Sequence, residues 1–201
     1  MNFSSKIVEH AVTALSGFPG IGKRSALRMV MFLIKRPKEE IDQMAEALKK
    51  LKTDLKKCKI CCNVSDTEVC EICNNKSRNE NLLCIVEDMQ DVIAIESTAQ
   101  FNGYYHVLGG LISPIDGIGP NSLSIQHLIE RVTEKPVQEI IIALNATIEG
   151  DTTTFYIGRK IKPLNIAITT ISKGISVGSE LEYTDEITLG RSFMGRIPYE
   201  V

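Results

Sequence analysis

The sequence predicts an α/β protein with an all-α amino-terminal part and a small four-cysteine module between the two. Apolar residues from Ile7 to Leu55 recur at helical spacing, and two Cys-x-x-Cys pairs follow. Short apolar strands then alternate with helices, which requires crossover connections and favours a mostly parallel sheet flanked by helices. The 201 residues can form one large domain or two to three small ones.

Three helices are expected in the amino-terminal part. The first begins after Ser4 and Ser5, which are favourable helix caps, and the second runs from about Lys23 to Lys35 and ends before Pro37. A third helix carries its apolar residues from Ile41 onwards, and its far end is rich in lysine.

The segment between the first two helices is a candidate anion site. Glycine-containing turns leave backbone N–H groups free at a helix start, and here basic residues follow at once. A plain helix–helix corner would use glycine just as readily, but the basic residues favour phosphate contacts that position the protein without reading base sequence. The candidate DNA-binding residues are Gly20, Gly22, Lys23, Arg24 and Arg28.

The charge distribution supports this interpretation, although the net charge is only −2. Residues 1–60 contain thirteen Lys and Arg and six Asp and Glu, a net charge of +7, whereas residues 61–201 carry −9. Local rather than total charge decides attraction to phosphate, so the basic amino-terminal part is suited to bind nucleic acid, although charge alone predicts a solvated helical face equally well.

Four cysteines predict a zinc site. Cys58 and Cys61 form one Cys-x-x-Cys pair, Cys70 and Cys73 form a second, and eight residues separate the two pairs. Four thiolates close the tetrahedral shell of a structural zinc ion, whereas a redox function would need a single such pair. Cys62 lies next to a ligand outside the pairing, and Cys84 lies in an apolar strand and is expected in the core.

The α/β part begins with a strand at Leu82–Glu87. The elements expected after it are a helix over Asp88–Ser97, a strand over Tyr104–Leu108, a helix over Ser122–Val132, a strand over Glu139–Leu144, a loop over Asn145–Asp151, a helix over Thr152–Lys160 and a strand over Ile166–Ile171. The aromatic residues Tyr104, Tyr105 and His106 could stack on bases or simply pack. His10 and His127 have no evident role.

Acidic residues follow two of these strands. Glu87, Glu149 and Asp151 should therefore gather at the carboxyl edge of the sheet, where open α/β folds bind ligands. A magnesium site is conceivable there, but solvated loop acids are the preferred interpretation.

Taken together, the motifs resemble the RecR family of recombination mediators. The similarity covers almost the whole chain and runs in the family's order through Leu15-x-x-Phe18-Pro19-Gly20-Ile21-Gly22, the paired cysteines, Tyr105-His106-Val107-Leu108-Gly109-Gly110, Asp116-Gly117-Ile118-Gly119-Pro120, Thr147-x-Glu149-Gly150 and Leu181-Glu182-Tyr183-x-Asp185-Glu186.

The resemblance implies a helix-hairpin-helix DNA-binding domain over residues 1–57, a four-cysteine zinc finger over 58–80 and a Toprim domain over 81–175. A tail over 176–201 would pack on the Toprim domain or on a neighbouring subunit. The resemblance also implies a ring-like homotetramer that clamps single- or double-stranded DNA without sequence preference. Together with RecO, and in some settings RecF, such a protein loads RecA onto single-stranded DNA.

Three positions depart from the family's pattern. Lys23 stands where proline is usual and should raise phosphate affinity, Cys62 replaces a common glycine, and Ala146 replaces a proline.

Catalytic Toprim enzymes typically contain the motif Asp-x-Asp-x-Glu-Gly-Glu, which aligns here with the segment from Asn145 to Asp151. Asn145 and Thr147 replace two metal-binding aspartates, and neutral oxygens hold a divalent cation weakly. The acids then serve a basic partner or a loosely held ion.

The first hypothesis is therefore a DNA-binding mediator without catalysis. The alternatives are a magnesium-dependent Toprim enzyme and a zinc-containing scaffold whose basic end is incidental. The sequence has no run near the ~18 apolar residues of a membrane span and no secretion signal. A cytoplasmic, nucleoid-associated protein is expected.

Overall fold

Two compact units make up the chain, Met1–Leu55 and Lys56–Val201, each with its own hydrophobic core. The computed structural model describes residues 3–135 and 137–198. No helix in these ranges is long and apolar enough to cross a membrane.

The amino-terminal unit consists of three helices, as predicted: α1 (Lys6–Leu15), α2 (Lys23–Leu33) and α3 (Lys38–Thr53). Ser5 caps α1, and its hydroxyl accepts a hydrogen bond from the Val8 N–H. The core joins α1 to α2 through Val12, Ala26 and Val30, whereas α3 buries no residue.

The cysteine-rich segment folds as a small module at the start of the second unit. Strands β1 (Lys56–Lys57) and β2 (Val64–Ser65) pair antiparallel, and a single helical turn, α4 (Glu71–Asn74), follows. The module places one Cys-x-x-Cys pair after β1 and the other around α4.

A four-stranded sheet forms the centre of the second unit. The order is β4 (Gly103–Val107), β3 (Asn79–Val86), β5 (Glu139–Ile142) and β6 (Ala167–Thr170), and every neighbouring pair is parallel. This confirms the predicted α/β class. The sheet is flanked by α5 (Met89–Ser97), α6 (Ile125–Glu134) and α7 (Ile148–Ile161).

Each face of the sheet packs on different helices, because side chains alternate along a strand. Leu83, Ile85 and Ile140 pack with residues of α6 and α7, while Cys84 and Tyr105 belong to a second core that includes Val92 of α5. The expectation that Cys84 is a core residue is confirmed, since its exposed fraction is 2%.

Several predicted element boundaries are wrong: β3 begins at Asn79 and not at Leu82, α6 begins at Ile125 and not at Ser122, and β5 ends at Ile142 and not at Leu144. The sequence predicts a loop over Asn145–Asp151, but α7 already begins at Ile148 because the Thr147 hydroxyl accepts a hydrogen bond from the Gly150 N–H and caps the helix. The carboxyl-terminal segment contains α8 (Glu186–Met194), which is capped by Asp185 and buries no residue.

Candidate DNA-binding turn and zinc centre

The turn between α1 and α2 has the geometry of an anion site. The Ile21 N–H donates to the Phe18 carbonyl at 3.1 Å, and Gly20 takes the left-handed conformation (φ 76°). Proline followed by a left-handed glycine is typical of a type II turn. The first intrahelical bond of α2 runs from the Ala26 N–H to the Gly22 carbonyl, so the preceding N–H groups of the helix lack an intrahelical acceptor.

Cationic side chains surround this helix start. Gly22 caps α2 without a side-chain hydrogen bond, and no acidic residue lies in the first turn. Lys23, Arg24 and Arg28 are exposed, and none forms an ion pair with a residue in the described part of the chain. A phosphate placed here would meet backbone N–H dipoles and mobile positive charge together.

The four predicted zinc ligands converge. The Sγ atoms of Cys58, Cys61, Cys70 and Cys73 lie within 4.8 Å of one another, and those of Cys61 and Cys70 are 3.5 Å apart. Tetrahedral zinc with Zn–S bonds of about 2.3 Å places its sulfurs about 3.8 Å apart, so this donor set fits the ion.

Backbone amides and neighbouring thiols form hydrogen bonds with the cysteine sulfurs and shift their pKa values. The N–H groups of Cys70 and Cys73 donate to Sγ of Cys58 and Sγ of Cys70 respectively. Hydrogen bonds from Cys61 and Cys73 lower the pKa of Cys70, while sharing with its neighbours raises the pKa of Cys61 and of Cys73. A metal ion bound by these four sulfurs would displace the protons of the cluster.

The zinc module is attached to the outer strand of the sheet. The Val107 N–H of β4 donates to the Cys61 carbonyl at 2.8 Å, and the Tyr104 hydroxyl donates to the Asn75 carbonyl at 2.8 Å. Because β4 is an edge strand, its outward N–H groups need a partner, and the module supplies one.

The carboxyl edge of the sheet brings Glu87 and Asn145 together. The Asn145 side-chain amide donates to the Glu87 carboxylate at 3.1 Å, at the switch point between β3 and β5. Partial burial raises the pKa of Glu87, and Asp91 and Asp88 raise it further, whereas Asn145 lowers it.

The third predicted acid has partners of its own. Asp151 accepts a hydrogen bond from Lys173 at 2.8 Å and lies 3.6 Å from the Arg191 guanidinium, and these cations lower its pKa. Glu149 lies in the first turn of α7. Among residues 3–135 and 137–198, the three acids do not form a cluster with metal-ligand spacing.

Two aromatic candidates for base stacking lie in the interior instead. Tyr105 and His106 are 1% and 0% exposed, so they pack within the second unit. His127, which has no evident role in the sequence, lies against Cys62 and His106. These three residues are far apart in the chain, and only the fold brings them together.

A basic turn between helices, a four-cysteine module and a parallel α/β sheet define a class of zinc-finger proteins that combine a helix-hairpin-helix with a Toprim domain. Family profiles match each part: the RecR helix-hairpin-helix over residues 8–52, the RecR four-cysteine zinc finger domain over 55–75, the Toprim domain over 81–172 and the RecR C-terminal segment over 174–197.

Curated relatives carry the same family name over the full length. The chain is 56% identical to "Recombination protein RecR" of Flavobacterium johnsoniae over 200 residues, which cover 100% of this chain and 97% of the relative. It is 54% identical to the protein of that name from Amoebophilus asiaticus, over 99% of this chain and 100% of the relative. The chain belongs to the RecR family, which confirms the resemblance seen in the sequence.

Proposed function

We propose that this chain is a non-enzymatic DNA-binding recombination mediator. In cooperation with RecO, and with RecF where that protein takes part, it would promote loading of RecA onto single-stranded DNA in the cytoplasm, at the nucleoid. The membership of the RecR family supports a role in recombination. The observation that carries DNA binding is the exposed, unpaired cationic start of α2.

The proposed DNA contacts are phosphate contacts. Gly20 and Gly22 let the backbone approach a phosphate closely, and Lys23, Arg24 and Arg28 supply the charge. Contacts of this kind carry no base information, so single- and double-stranded DNA should both bind without sequence preference.

The proposed cofactor is one structural zinc ion per chain, held by Cys58, Cys61, Cys70 and Cys73. A closed shell of four sulfurs leaves no position for a reacting water, so the ion would supply a crosslink and no chemistry. Its purpose here would be to hold the module against β4, where the Cys61 carbonyl accepts from Val107.

The carboxyl edge would recruit a protein and not catalyse a reaction. Glu87 is occupied by the Asn145 amide, and Thr147, at a position where the catalytic Toprim pattern has aspartate, caps α7. Only one oxygen of Glu87 accepts from Asn145, so its other oxygen and Glu149 would remain available to a basic partner such as RecO, while Asp151 already pairs with Lys173. Magnesium, if held at all, would lack the carboxylates that bind it well.

We further propose a homo-oligomer, arranged as a ring-like tetramer. In the first unit, α3 leaves Met44, Leu48 and Leu51 about half exposed, and in the carboxyl-terminal segment Phe193 and Met194 are at least 66% exposed. Apolar surface of this extent is typical of subunit interfaces. The chain would divide into a helix-hairpin-helix domain (1–57), a zinc finger (58–80), a Toprim domain (81–175) and a tail (176–201) that packs on the Toprim domain or on a neighbouring subunit.

DNA binding measured against salt concentration tests the proposal. A double substitution, Lys23→Ala with Arg28→Ala, removes two phosphate contacts, which should weaken binding roughly 10- to 50-fold per subunit near 0.1 M salt and flatten the log–log salt dependence by roughly 1.5. The matched control, Arg159→Ala with Lys160→Ala, makes the same change in net charge at the exposed end of α7 and should bind as wild type.

The same proteins would be used in RecA loading. The double variant should lose stimulation of RecA assembly on coated single-stranded DNA in the presence of RecO, and the control should retain it. Wild-type affinity in the double variant, with an unchanged circular dichroism spectrum, would contradict the assignment of the α1–α2 turn.

A further inference from the structure

A second group of metal-ligating side chains lies beside the four-cysteine cluster. Cys62 follows the second cysteine of the first pair, His106 lies on β4 and His127 lies on α6. Their ligand atoms lie within 4.8 Å of one another, and the Cys62 Sγ is 3.0 Å from the His127 Nδ1. All three belong to the Lys56–Val201 unit.

Ser124 holds one ring nitrogen of His106 in place. Its Nε2 lies 3.0 Å from the Ser124 carbonyl oxygen, which can only accept, so Nε2 carries the proton and donates. The Ser124 hydroxyl in turn donates to the Val107 carbonyl at 2.5 Å. With the proton on Nε2, Nδ1 is the ring nitrogen that carries a free lone pair, which is the form in which histidine binds a metal.

That Nδ1 atom is buried without a hydrogen-bond partner. His106 is 0% exposed, and no polar atom in the described ranges bonds to its Nδ1. A buried acceptor left unpaired is destabilising, and a ligand at this atom would remove that cost.

The backbone at Cys62 offers no reason for a cysteine. Its φ of 63° lies in the left-handed region, where glycine is favoured and other residues are strained. The Cys62 N–H donates to the Cys58 carbonyl at 3.0 Å, a bond that glycine would make equally well. What the cysteine adds is a thiol directed at His127.

We propose that Cys62, His106 and His127 bind a second metal ion, a borderline-soft divalent cation such as Zn²⁺, distinct from the ion of the four-cysteine cluster. One thiolate and two imidazoles suit zinc, and a water would complete a tetrahedral shell. Binding requires Sγ of Cys62 and Nδ1 of His127 to separate to about 3.6 Å, which the half-buried His127 side chain can accommodate.

The second ion would bind more weakly than the first. It has three protein ligands and not four, and Lys57 and Arg131 place positive charge near both Cys62 and His106. Its effect would be to fasten the zinc module to α6 as well as to β4.

Zinc stoichiometry in the full-length protein tests the proposal. Protein loaded with excess Zn²⁺ and desalted should hold two ions per chain by elemental analysis, and a mild chelator should remove one before the other. Cys62→Gly, which suits the left-handed backbone, and His127→Gln should each hold one ion. The control Cys84→Ala removes a buried thiol on the opposite face of the sheet and should hold two.

Cobalt substitution identifies the ligands independently of folding. The difference between the spectra of Co²⁺-loaded wild type and Co²⁺-loaded Cys62→Gly should contain a thiolate-to-cobalt charge-transfer band with the intensity of a single sulfur. A wild-type protein that holds one ion at saturating Zn²⁺, or a Cys62→Gly variant that still holds two, would overturn the proposal.

Discussion

The first turn of α7 offers a stringent test of the carboxyl edge of the sheet, through the substitution Gly150→Ala. Gly150 is buried, and a Cβ built on it would lie 2.0 Å from the Asn145 carbonyl oxygen and 3.1 Å from the Asn145 carbonyl carbon. Real Cβ contacts with backbone are essentially never shorter than 3.0 Å, so α7 and Asn145 must separate by about 1 Å. Neither is a flexible side-chain end, so the strain cannot be relieved by a rotamer change.

The expected destabilisation follows from three contributions. Overpacking costs about 1–3 kcal/mol. Loss of the cap between Thr147 and the Gly150 N–H, 3.1 Å apart in the wild type, costs about 1 kcal/mol. The helix preference of alanine over glycine returns about 1 kcal/mol, so the free energy of unfolding should fall by about 1–3 kcal/mol.

Gly158→Ala is the matched control within the same helix. A Cβ at Gly158 would meet nothing within 4 Å, so only helix preference changes and the free energy of unfolding should rise by up to about 1 kcal/mol. Urea unfolding followed by far-ultraviolet circular dichroism measures both variants. A Gly150→Ala protein as stable as Gly158→Ala would refute the close approach of α7 to Asn145, and with it the geometry of this edge.

Three further outcomes are expected. Cys70→Ser should lose the zinc of the four-cysteine cluster and, with it, the slow hydrogen exchange of the Val107 amide. Chelated wild-type protein should regain slow exchange when zinc is restored. Unchanged exchange in the variant would show that the metal does not hold the module against β4. Arg78 donates to Glu96 at 3.0 Å and lowers the pKa of Glu96. This pair should therefore stabilise the fold above about pH 4.3, the pKa of glutamate in the unfolded chain, and lose its effect as the pH falls through the lower pKa of the folded state. Glu96→Gln should flatten that part of the pH profile of urea unfolding. Glu149→Gln should leave DNA binding unchanged, and neither it nor wild type should cleave DNA with Mg²⁺; cleavage by wild type that the variant abolishes would favour the enzyme hypothesis.

Features encoded within a short stretch of chain were predictable from the sequence. The helix start at Ser5, the turn before Lys23 and the two cysteine pairs each depend on residues a few positions apart, and the structure places all of them as predicted. The parallel sheet was predictable for a related reason, since alternating strands and helices permit few other topologies.

Features that depend on tertiary approach were not predictable. In the sequence, His127 is an ordinary polar residue on an amphipathic helix, 65 positions from Cys62. Only the folded structure places Cys62 and His106 next to it. The pairing of Asp151 with Lys173 likewise depends on how the segment after β6 returns to α7. The early start of α7, in contrast, had a local signal in the sequence, because Thr147 is a favourable N-cap residue and acidic residues follow it in the first turn.

The carboxyl edge gives a physical basis for the proposal that this Toprim fold serves a mediator and not an enzyme. Metal-assisted phosphoryl transfer needs several carboxylates that converge on one cation. Here the Asn145 amide donates to Glu87, the Thr147 hydroxyl caps a helix and Asp151 pairs with Lys173. The groups that a metal would need are thereby engaged in other contacts, and these contacts hold the first turn of α7, which carries Glu149. The same bonds that weaken a magnesium site make the edge a fixed surface, which is the property that recognition of a basic partner requires.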